Sequence, residues 1–409
     1  MKIPFSPPFV DDDVLKEVAD TLRSGWITTG PKVKALEQEI NKLTGCQQTL
    51  CVNSWTSGAI LTLKWLGVKA GDEVIVPAYT YAATALSVIH CGATPILVDV
   101  LPDFNIDPAA VAKAITAKTK AIIAVDIAGL MCDYDRLKEI VSAPEALAQF
   151  NAESDVQQKM GRVMVIADAA HSIGAKYKHL NSGVCADVNI FSMHAVKNIT
   201  TAEGGAISLH LPASFNAQEV YELMRLWSLN GQTKDAFSKS NGSGWRYDIL
   251  FDGLKVNMPD ICAAIGLAQI KKYNHNLIVE RKRIAQQYEA YFTSRSWAQL
   301  PILKDEHRET CYHLYALRIV GITEIERDEM IAHIVKLGVA VNVHFLPLPM
   351  LTTFKNKGFD IKDFPVSYDN YAREISLPIY PQLTTEQVNF ICSAVEDSYH
   401  TVKASEKIA

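Results

Sequence analysis

Lys197 sits in a polar connector, MHAVKNITTAEG (193–204), between two apolar, β-branched stretches, VNIF and AISL. A lysine in a surface loop needs no special account, but the company this one keeps does. Asp168 lies 29 residues upstream, at the end of the apolar run RVMVIADAA, with His171 three residues beyond it. A carboxylate closing a buried strand must meet a positive charge or accept hydrogen bonds, because left unpaired it is costly. A plain helix N-cap would also satisfy it. Ser54, Trp55 and Thr56 stand just before the helical pattern AILTLKWLG. Hydroxyls and backbone N–H groups at a helix N-terminus form an anion site, or simply a cap. Tyr81 follows the apolar stretch DEVIVPAYT, where an aromatic ring can stack on a flat ligand or join the core.

One chemistry uses all of these residue types together. Pyridoxal phosphate (PLP) needs a lysine to bond its aldehyde, a carboxylate to keep its ring nitrogen protonated, and a cradle for its phosphate. The carboxylate works by raising the pyridine pKa. The lysine, once displaced by an incoming amine, can carry a proton between carbons. Gly204 and Gly205 after Glu203 permit a tight return or the close approach of a ligand.

The elements that must position these residues form an alternation. DEVIVPAYT, TPILVDV, KAIIAVDIAG, RVMVIADAA, VNIFSM and GAISLH predict strands, and ATALSVIHCG, DPAAVAKAITAKT and YDRLKEIVSA predict helices between the first of them. Short continuous Val/Ile runs alternating with helices predict an α/β fold with a mainly parallel sheet covered on both faces. Ligands on such sheets sit at the carboxyl ends of the strands. Two amphipathic helices precede the alternation, DDDVLKEVADTLRSG and PKVKALEQEINKLTG, separated by the loop GWITTGPK. Residues 1–30 are expected to form an N-terminal arm, 31–270 a large cofactor-binding domain, and 271–409 a smaller C-terminal α/β domain. In the last of these HLYALRIV and VAVNVHFLP are expected as strands. Residues 144–160 are expected as a surface insertion, and the Ser/Gly/Lys-rich 233–246 as a mobile loop.

Bulk properties bound the partners. The chain has 409 residues, is 48% hydrophobic, and carries 40 basic and 45 acidic residues for a net charge of -5. With no basic face or tail, nucleic acid is not an expected partner. No apolar run is long enough to span a membrane, and the Pro-rich N-terminus does not resemble a signal peptide. The eight cysteines form no CxxC pair, which predicts buried thiols in a reducing cytoplasm and no metal site. The absence of G-x-G-x-x-G after the first strand argues against a dinucleotide-dependent dehydrogenase.

In order and spacing, SGWITTGPKVKALE, GDEVIVPAYTYAATA, GATPILVDV, DAAHSIGA, FSMHAVKNITTAEGGA, NMPDICAAIGLAQI and ISLPIYPQLT resemble the DegT/StrS family of PLP-dependent sugar aminotransferases. These have the fold type I architecture of the aspartate aminotransferase superfamily. The resemblance implies that Lys197 bonds the cofactor and Asp168 pairs with the pyridine nitrogen. It places His171 near the ring hydroxyl, Tyr81 on the ring, and Ser54, the Trp55 backbone, Thr56 and Ser192 at the phosphate. It implies a homodimer with shared sites, in which Lys255 or Asn257 of GLKVN completes the neighbour's phosphate cradle. It puts Trp26, Thr28 and His344 near the sugar. The implied reaction moves an amino group from L-glutamate to a sugar. That sugar is either a nucleotide-linked keto sugar or an eight-carbon acid sugar with a terminal aldehyde. Arg23, Arg246 and Lys32 are candidate contacts for substrate anions.

Three positions depart from the family pattern. Trp55 replaces a glycine and cannot cheaply adopt a positive φ, so a different cradle is expected. Asp126 stands where a histidine is common, and Leu254 and Val256 replace aromatics. Rival readings are a sugar dehydratase, whose relatives carry His at the lysine position, and a non-catalytic PLP-binding regulator. Lys197 argues against both.

Overall fold

The computed structural model describes residues 1–233 and 246–405; most of the expected mobile stretch lies outside these residues. The strands are β1 (Gln48–Val52), β2 (Glu73–Pro77), β3 (Thr94–Val98), β4 (Thr119–Val125), β5 (Met164–Asp168), β6 (Lys176–Tyr177), β7 (Leu180–Asn181), β8 (Val188–Ser192), β9 (Gly205–Leu209), β10 (Ala298–Gln299), β11 (Arg308–Glu309), β12 (Tyr315–Ile319) and β13 (Glu374–Leu377). Seven of them form the main sheet in the order β1-β9-β8-β5-β4-β2-β3. Only β9 runs against its neighbours. The fold is thus the expected α/β type, with a mainly parallel sheet. All seven residues of β4 are buried, as a strand covered on both faces requires.

Register aims the chemistry. Val125, Asp168 and Ile190 lie in line across β4, β5 and β8, and Ser192 pairs with Gly205 across β8 and β9. The carboxyl ends of β1, β2, β4, β5 and β8 therefore open on one side, and β9 begins there.

Helix α1 (Asp12–Arg23) starts on Asp11, whose side chain accepts the Val14 N–H. Rather than standing free as an arm, it is clamped by Lys272 Nζ, which bonds Asp11 and Asp13. Ahead of it, Ile3 pairs with Val339 and is buried in the same core as Ile284, Tyr315 and Ile375. Helix α2 (Pro31–Thr44) buries Val33, Leu36 and Ile40, each of which contributes about 1.5–3 kcal/mol. Its own N-cap residue, Gly30, has no side chain. The buried Asp260 carboxylate serves instead, accepting from the N–H groups of Gly30 (2.8 Å), Lys32 (3.1 Å) and Val33 (3.0 Å).

The 144–160 stretch is less superficial than expected. It forms two short helices, Pro144–Gln149 and Asp155–Met160. Gln157 is fully buried and donates to Leu66 O, while Lys120 reaches Asn151 O and faces Asp72 and Glu153. The strand expected at VAVNVHFLP is not formed. Only isolated bridges form there, Val339 to Ile3 and Asn342 to Ser376, and at His344 the N–H is taken by the Glu374 carboxylate and the carbonyl by the Tyr79 hydroxyl instead of by a ladder. The separate core around Tyr288, Tyr315 and Ile375 supports, as a proposal, a domain division near residue 270. Among the described residues no helix is long and apolar enough to cross a membrane.

Asp260→Ala leaves two buried N–H donors and one part-buried one without an acceptor. It is expected to lower stability by about 3 kcal/mol, read as a lower urea midpoint at unchanged slope.

Candidate active site

A cavity of about 470 Å³ lies at the carboxyl ends of the parallel strands. Its lining brings together Lys197, Asp168, His171, Tyr81, Ser54, Trp55, Thr56, Ser192 and His344 from the sequence-derived set. Trp26, Thr28, Lys255 and Asn257 are not part of this lining. Asn257 Nδ2 donates to Thr29 Oγ1 (2.6 Å), Lys255 Nζ donates to Asn257 Oδ1 (2.6 Å), and Asn53 N donates to Val256 O (2.8 Å). The two loops therefore adjoin each other on the outer flank of the strand that leads to Ser54. Arg23 pairs with Asp20, and Lys32 with Glu17. Neither they nor Arg246 line the cavity, and no arginine does among the described residues.

At one end of the cavity, helix α3 (Trp55–Leu66) begins on Ser54, whose side chain accepts the Ser57 N–H. Trp55 needs no positive φ, because it already occupies the first helical position. Its indole N–H donates to Ile190 O (3.0 Å), which seats α3 on β8. The backbone N–H groups of Trp55 and Thr56 have no intrahelical acceptor, as the first turn of any helix dictates. They border the cavity beside the hydroxyls of Thr56 and Ser192. The backbone here is tightly packed: a Cβ on Gly205 would stand 2.6 Å from the Ser54 carbonyl carbon and 2.7 Å from Trp55 N. Only glycine lets β9 start this close to the α3 N-terminus.

At another point of the wall, Asp168 is buried. It accepts from Thr84 Oγ1 (2.8 Å) and Ala170 N (3.2 Å), and Thr80 in turn bonds Thr84 (2.9 Å). Burial outweighs these bonds and the nearby Lys197 charge, and pushes the carboxyl up to about 7. The same desolvation pulls the Lys197 ammonium down to about 8, toward the free amine a nucleophile needs. Lys197 Nζ makes no hydrogen bond or ion pair among the described residues. Its backbone is well held. Met193 N donates to Gly204 O and Thr201 N to Met193 O, closing the loop between β8 and β9. Asn198 Nδ2 donates to Cys311 O (2.9 Å).

The rest of the wall was not legible as such. His313 packs against His171, ring centroids 4.4 Å apart and tilted by 42°, and shares a hydrogen bond with Asn198 Oδ1 (2.9 Å). Since Asn198 presents its oxygen there, His313 donates from Nδ1. His171 Nδ1 accepts from Ala128 N (3.3 Å). Burial lowers both imidazoles well below the usual range. Phe5 and Ser6 also line the cavity; Ser6 Oγ reaches Val196 O, and Phe5 stacks on His344 at 5.5 Å. Thr84, His313 and Phe5 come from a helix, the smaller domain and the N-terminus, and no local pattern marks them. The one available signal was the HLYAL strand start beside His313. Asp126 is fully buried behind His171. It accepts from Cys132 N (2.9 Å), Tyr134 Oη (2.7 Å) and Ser172 Oγ (2.7 Å). Its role is to hold that wall.

The donor set fits a PLP-sized group. Orphan N–H groups and hydroxyls suit a phosphate, a buried carboxyl short of cationic partners suits a protonated ring nitrogen, and an unpaired amine lies in the same cavity.

Comparison with known proteins agrees. The DegT/DnrJ/EryC1/StrS aminotransferase family model matches residues 8–396. The spore coat polysaccharide biosynthesis protein SpsC of Bacillus subtilis is 34% identical over 404 residues, covering 97% of this chain and 96% of that protein. Among solved structures, Spr1654 of Streptococcus pneumoniae, assigned to the sugar aminotransferases, superposes in its PMP form with a TM-score of 0.94. It is 42% identical, with both chains covered in full. PseC of Helicobacter pylori, an aminotransferase of pseudoaminic acid biosynthesis, superposes with a TM-score of 0.84 at 26% identity. That match covers 98% of this chain and 100% of PseC.

The buried pair makes stability depend on pH in opposite senses. Asp168 keeps its proton to about 7 when folded and to 3.8 when unfolded. Over that window the folded chain binds the extra proton, so this group's contribution falls as pH rises. Lys197 titrates at about 8 folded and 10.5 unfolded, so its contribution rises with pH across that higher window. In the cofactor-free protein, the stability difference between wild type and Asp168→Asn should therefore shift against wild type between about pH 4.5 and about pH 7.5. Urea titrations at both values measure it, and a pH-independent difference contradicts the burial argument.

Proposed function

The chain belongs to the DegT/DnrJ/EryC1/StrS aminotransferase family and is a PLP-dependent sugar aminotransferase, and we propose that it transfers the amino group of L-glutamate to a keto or aldehydo sugar. The acceptor is a nucleotide-linked keto sugar or an eight-carbon acid sugar with a terminal aldehyde. The product serves cell-surface polysaccharide synthesis, including lipopolysaccharide, in the cytoplasm. The observation that carries this reading is the meeting of Lys197, Asp168 and the α3 N-terminus in one cavity.

When bound, the cofactor supplies an electron sink and carries the amino group from one substrate to the other. In this reading Asp168 keeps the ring nitrogen protonated, which its buried, half-satisfied carboxyl favours. Ser54, Thr56, Ser192 and the N–H groups of Trp55 and Thr56 hold the phosphate. Tyr81 covers the ring face, and His171 lies at the ring hydroxyl. Lys197 holds the cofactor between turnovers and then moves the proton between carbons in each half-reaction. Its lowered basicity keeps a free amine available near neutral pH.

The active unit is a homodimer. Lys255 or Asn257 of a second copy completes the phosphate cradle, and the Trp26–Thr28 loop reaches the sugar together with His344. The SpsC, Spr1654 and PseC likenesses support carbohydrate as the acceptor class.

Purified enzyme mixed with L-glutamate is expected to lose its visible absorption band and to release one equivalent of 2-oxoglutarate. Lys197→Ala should slow this by roughly 100-fold or more, while its urea unfolding transition stays cooperative. Wild type that leaves L-glutamate unchanged while accepting another amine would overturn the donor assignment alone.

A further inference from the structure

Behind His344, at the wall opposite the main sheet, lies a buried chain of three polar side chains that the proposed reaction does not yet use. Glu374 opens β13, and Ser376 is its third residue; both are fully buried. Successive side chains on a strand point to opposite faces, so residues 374 and 376 share one. Ser376 Oγ bonds Glu374 Oε1 on one side and His344 Nδ1 (2.8 Å) on the other. Glu374 Oε2 accepts the His344 backbone N–H (3.0 Å), and the Tyr79 hydroxyl donates to His344 O (2.6 Å). Phe5 packs on the ring face. The imidazole is therefore fixed at both backbone atoms, one ring nitrogen and one face. Its other nitrogen, Nε2, has no hydrogen-bond partner among the described residues and is not sealed from the cavity that holds Lys197.

A hydroxyl has one proton to give, so the bridge has two states. With Glu374 ionised, Ser376 donates to the carboxylate and can only accept from the ring. His344 then carries its proton on Nδ1 and offers a bare Nε2. With Glu374 protonated, the carboxyl donates to Ser376, Ser376 donates to Nδ1, and Nε2 carries the proton. In both states the ring is neutral.

We propose that His344, Ser376 and Glu374 form a proton relay in which His344 Nε2 takes a proton from the ammonium of the incoming amino donor and later returns one to the oxygen that leaves the acceptor as water. In the first half-reaction the donor N–H bond breaks and an Nε2–H bond forms. The Nδ1 proton passes to Ser376 Oγ, whose own proton passes to Glu374. In the second half-reaction each transfer reverses, and the proton stored on Glu374 departs with the acceptor oxygen. No electrons move, and the count closes over one turnover. His344 is the group that meets substrate; Ser376 and Glu374 position it and hold its proton.

The electrostatics agree with this division. Burial holds the imidazole down to about 3 and pushes the carboxyl up to about 8, so a proton entering the chain rests on Glu374 rather than on the ring. The charged or titratable groups that face the relay are Lys197, His171 and His313 on the cavity side and Tyr79, Arg318 and Arg327 behind it. Arg327 donates to Glu374 O rather than to the carboxylate, which leaves the carboxyl free to exchange a proton.

The relay rests on the donor half-reaction proposed above, and two readouts separate the two ideas. The first uses the cofactor-free protein with 15N-labelled histidine, in which the His344 signal is identified by its loss in His344→Asn. In wild type the neutral His344 tautomer is expected to change from Nε2–H to Nδ1–H as pH rises through about 8. The ring should not acquire charge, and Ser376→Ala should abolish the change. A ring that keeps one tautomer throughout, or that responds identically in Ser376→Ala, overturns the relay. The second is the single-turnover rate with L-glutamate in the loaded enzyme. Glu374→Gln and Ser376→Ala should each lower the limiting rate roughly 10- to 100-fold, with half-saturation within about 2-fold of wild type. An unchanged limiting rate, or a change confined to half-saturation, overturns it. If wild type ignores L-glutamate, the donor assignment fails and the tautomer measurement still decides the relay.

Discussion

Two opposite desolvation penalties in one cavity organise this protein. Asp168 loses water at the end of β5 and gains only Thr84 and the Ala170 N–H in return. Lys197 loses water in the same space and gains no direct partner. Each is driven toward its neutral form, the carboxyl upward and the amine downward. In an unliganded chain that is a cost, since a buried carboxyl and a half-buried amine remain half-satisfied. Under the proposed function it becomes useful: a bound pyridoxal phosphate would give Asp168 the positive partner it lacks, and Lys197 would meet the aldehyde as an amine already inclined to be free. Stability given up at the site would then be recovered as affinity for the cofactor.

That arrangement depends on a rigid frame, and the reversal of β9 supplies much of it. A parallel connection from β8 would need a long crossover. The antiparallel return lets a twelve-residue loop leave β8 at Ser192 and re-enter the sheet at Gly205. Lys197 is therefore never far from strand-held backbone. Two close approaches keep the loop compact. A Cβ on Gly204 would collide with Thr201 Oγ1 at 2.0 Å, and one on Gly205 with the Ser54–Trp55 backbone. The glycines let β9 and the α3 N-terminus pack as one surface, so the phosphate end and the lysine end share a common support.

Sequence carried the parts of this site that are local. Asp168 and Lys197 follow strands whose apolar runs are visible, and the helix after Ser54 has a clear start, so their types and spacing sufficed. The fold class came from the same alternation. The failures are non-local. Thr84 faces Asp168 only because α4 (Ala83–His90) starts beside the carboxyl end of β5, and Phe5 reaches His344 only because Ile3 joins a core built from residues 284–402. VAVNVHFLP has strand-like composition, yet the His344 backbone N–H is taken by the Glu374 carboxylate and its carbonyl by the Tyr79 hydroxyl, which keeps it out of a ladder. Trp55 was expected to need a different cradle, because it cannot cheaply take a positive φ. The chain instead begins α3 at Trp55 itself, four residues ahead of AILTLKWLG, and uses the indole as an anchor on Ile190 O. Glu374 and Ser376 looked like ordinary strand residues, because nothing in EISL announces that a histidine 30 residues away will cover their face.

The chemistry of the wall also bears on what enters. Three imidazoles, at His171, His313 and His344, surround the space near Lys197, and burial keeps all three neutral. Neutral imidazoles whose tautomers are set by neighbours read hydroxyls and carbonyls by direction rather than by charge, which suits a polyhydroxylated acceptor. An anionic donor or a nucleotide diphosphate needs cations, and among the described residues the lining has no arginine. On the outer flank, Lys255 and the Trp26–Thr29 loop adjoin the strand leading to Ser54. A group on that flank reaches a cavity most directly when a second copy of the chain presents it. The arginine-free lining is thus a physical argument for the proposed homodimer, in which Lys255 or Asn257 of a second copy would complete the phosphate cradle.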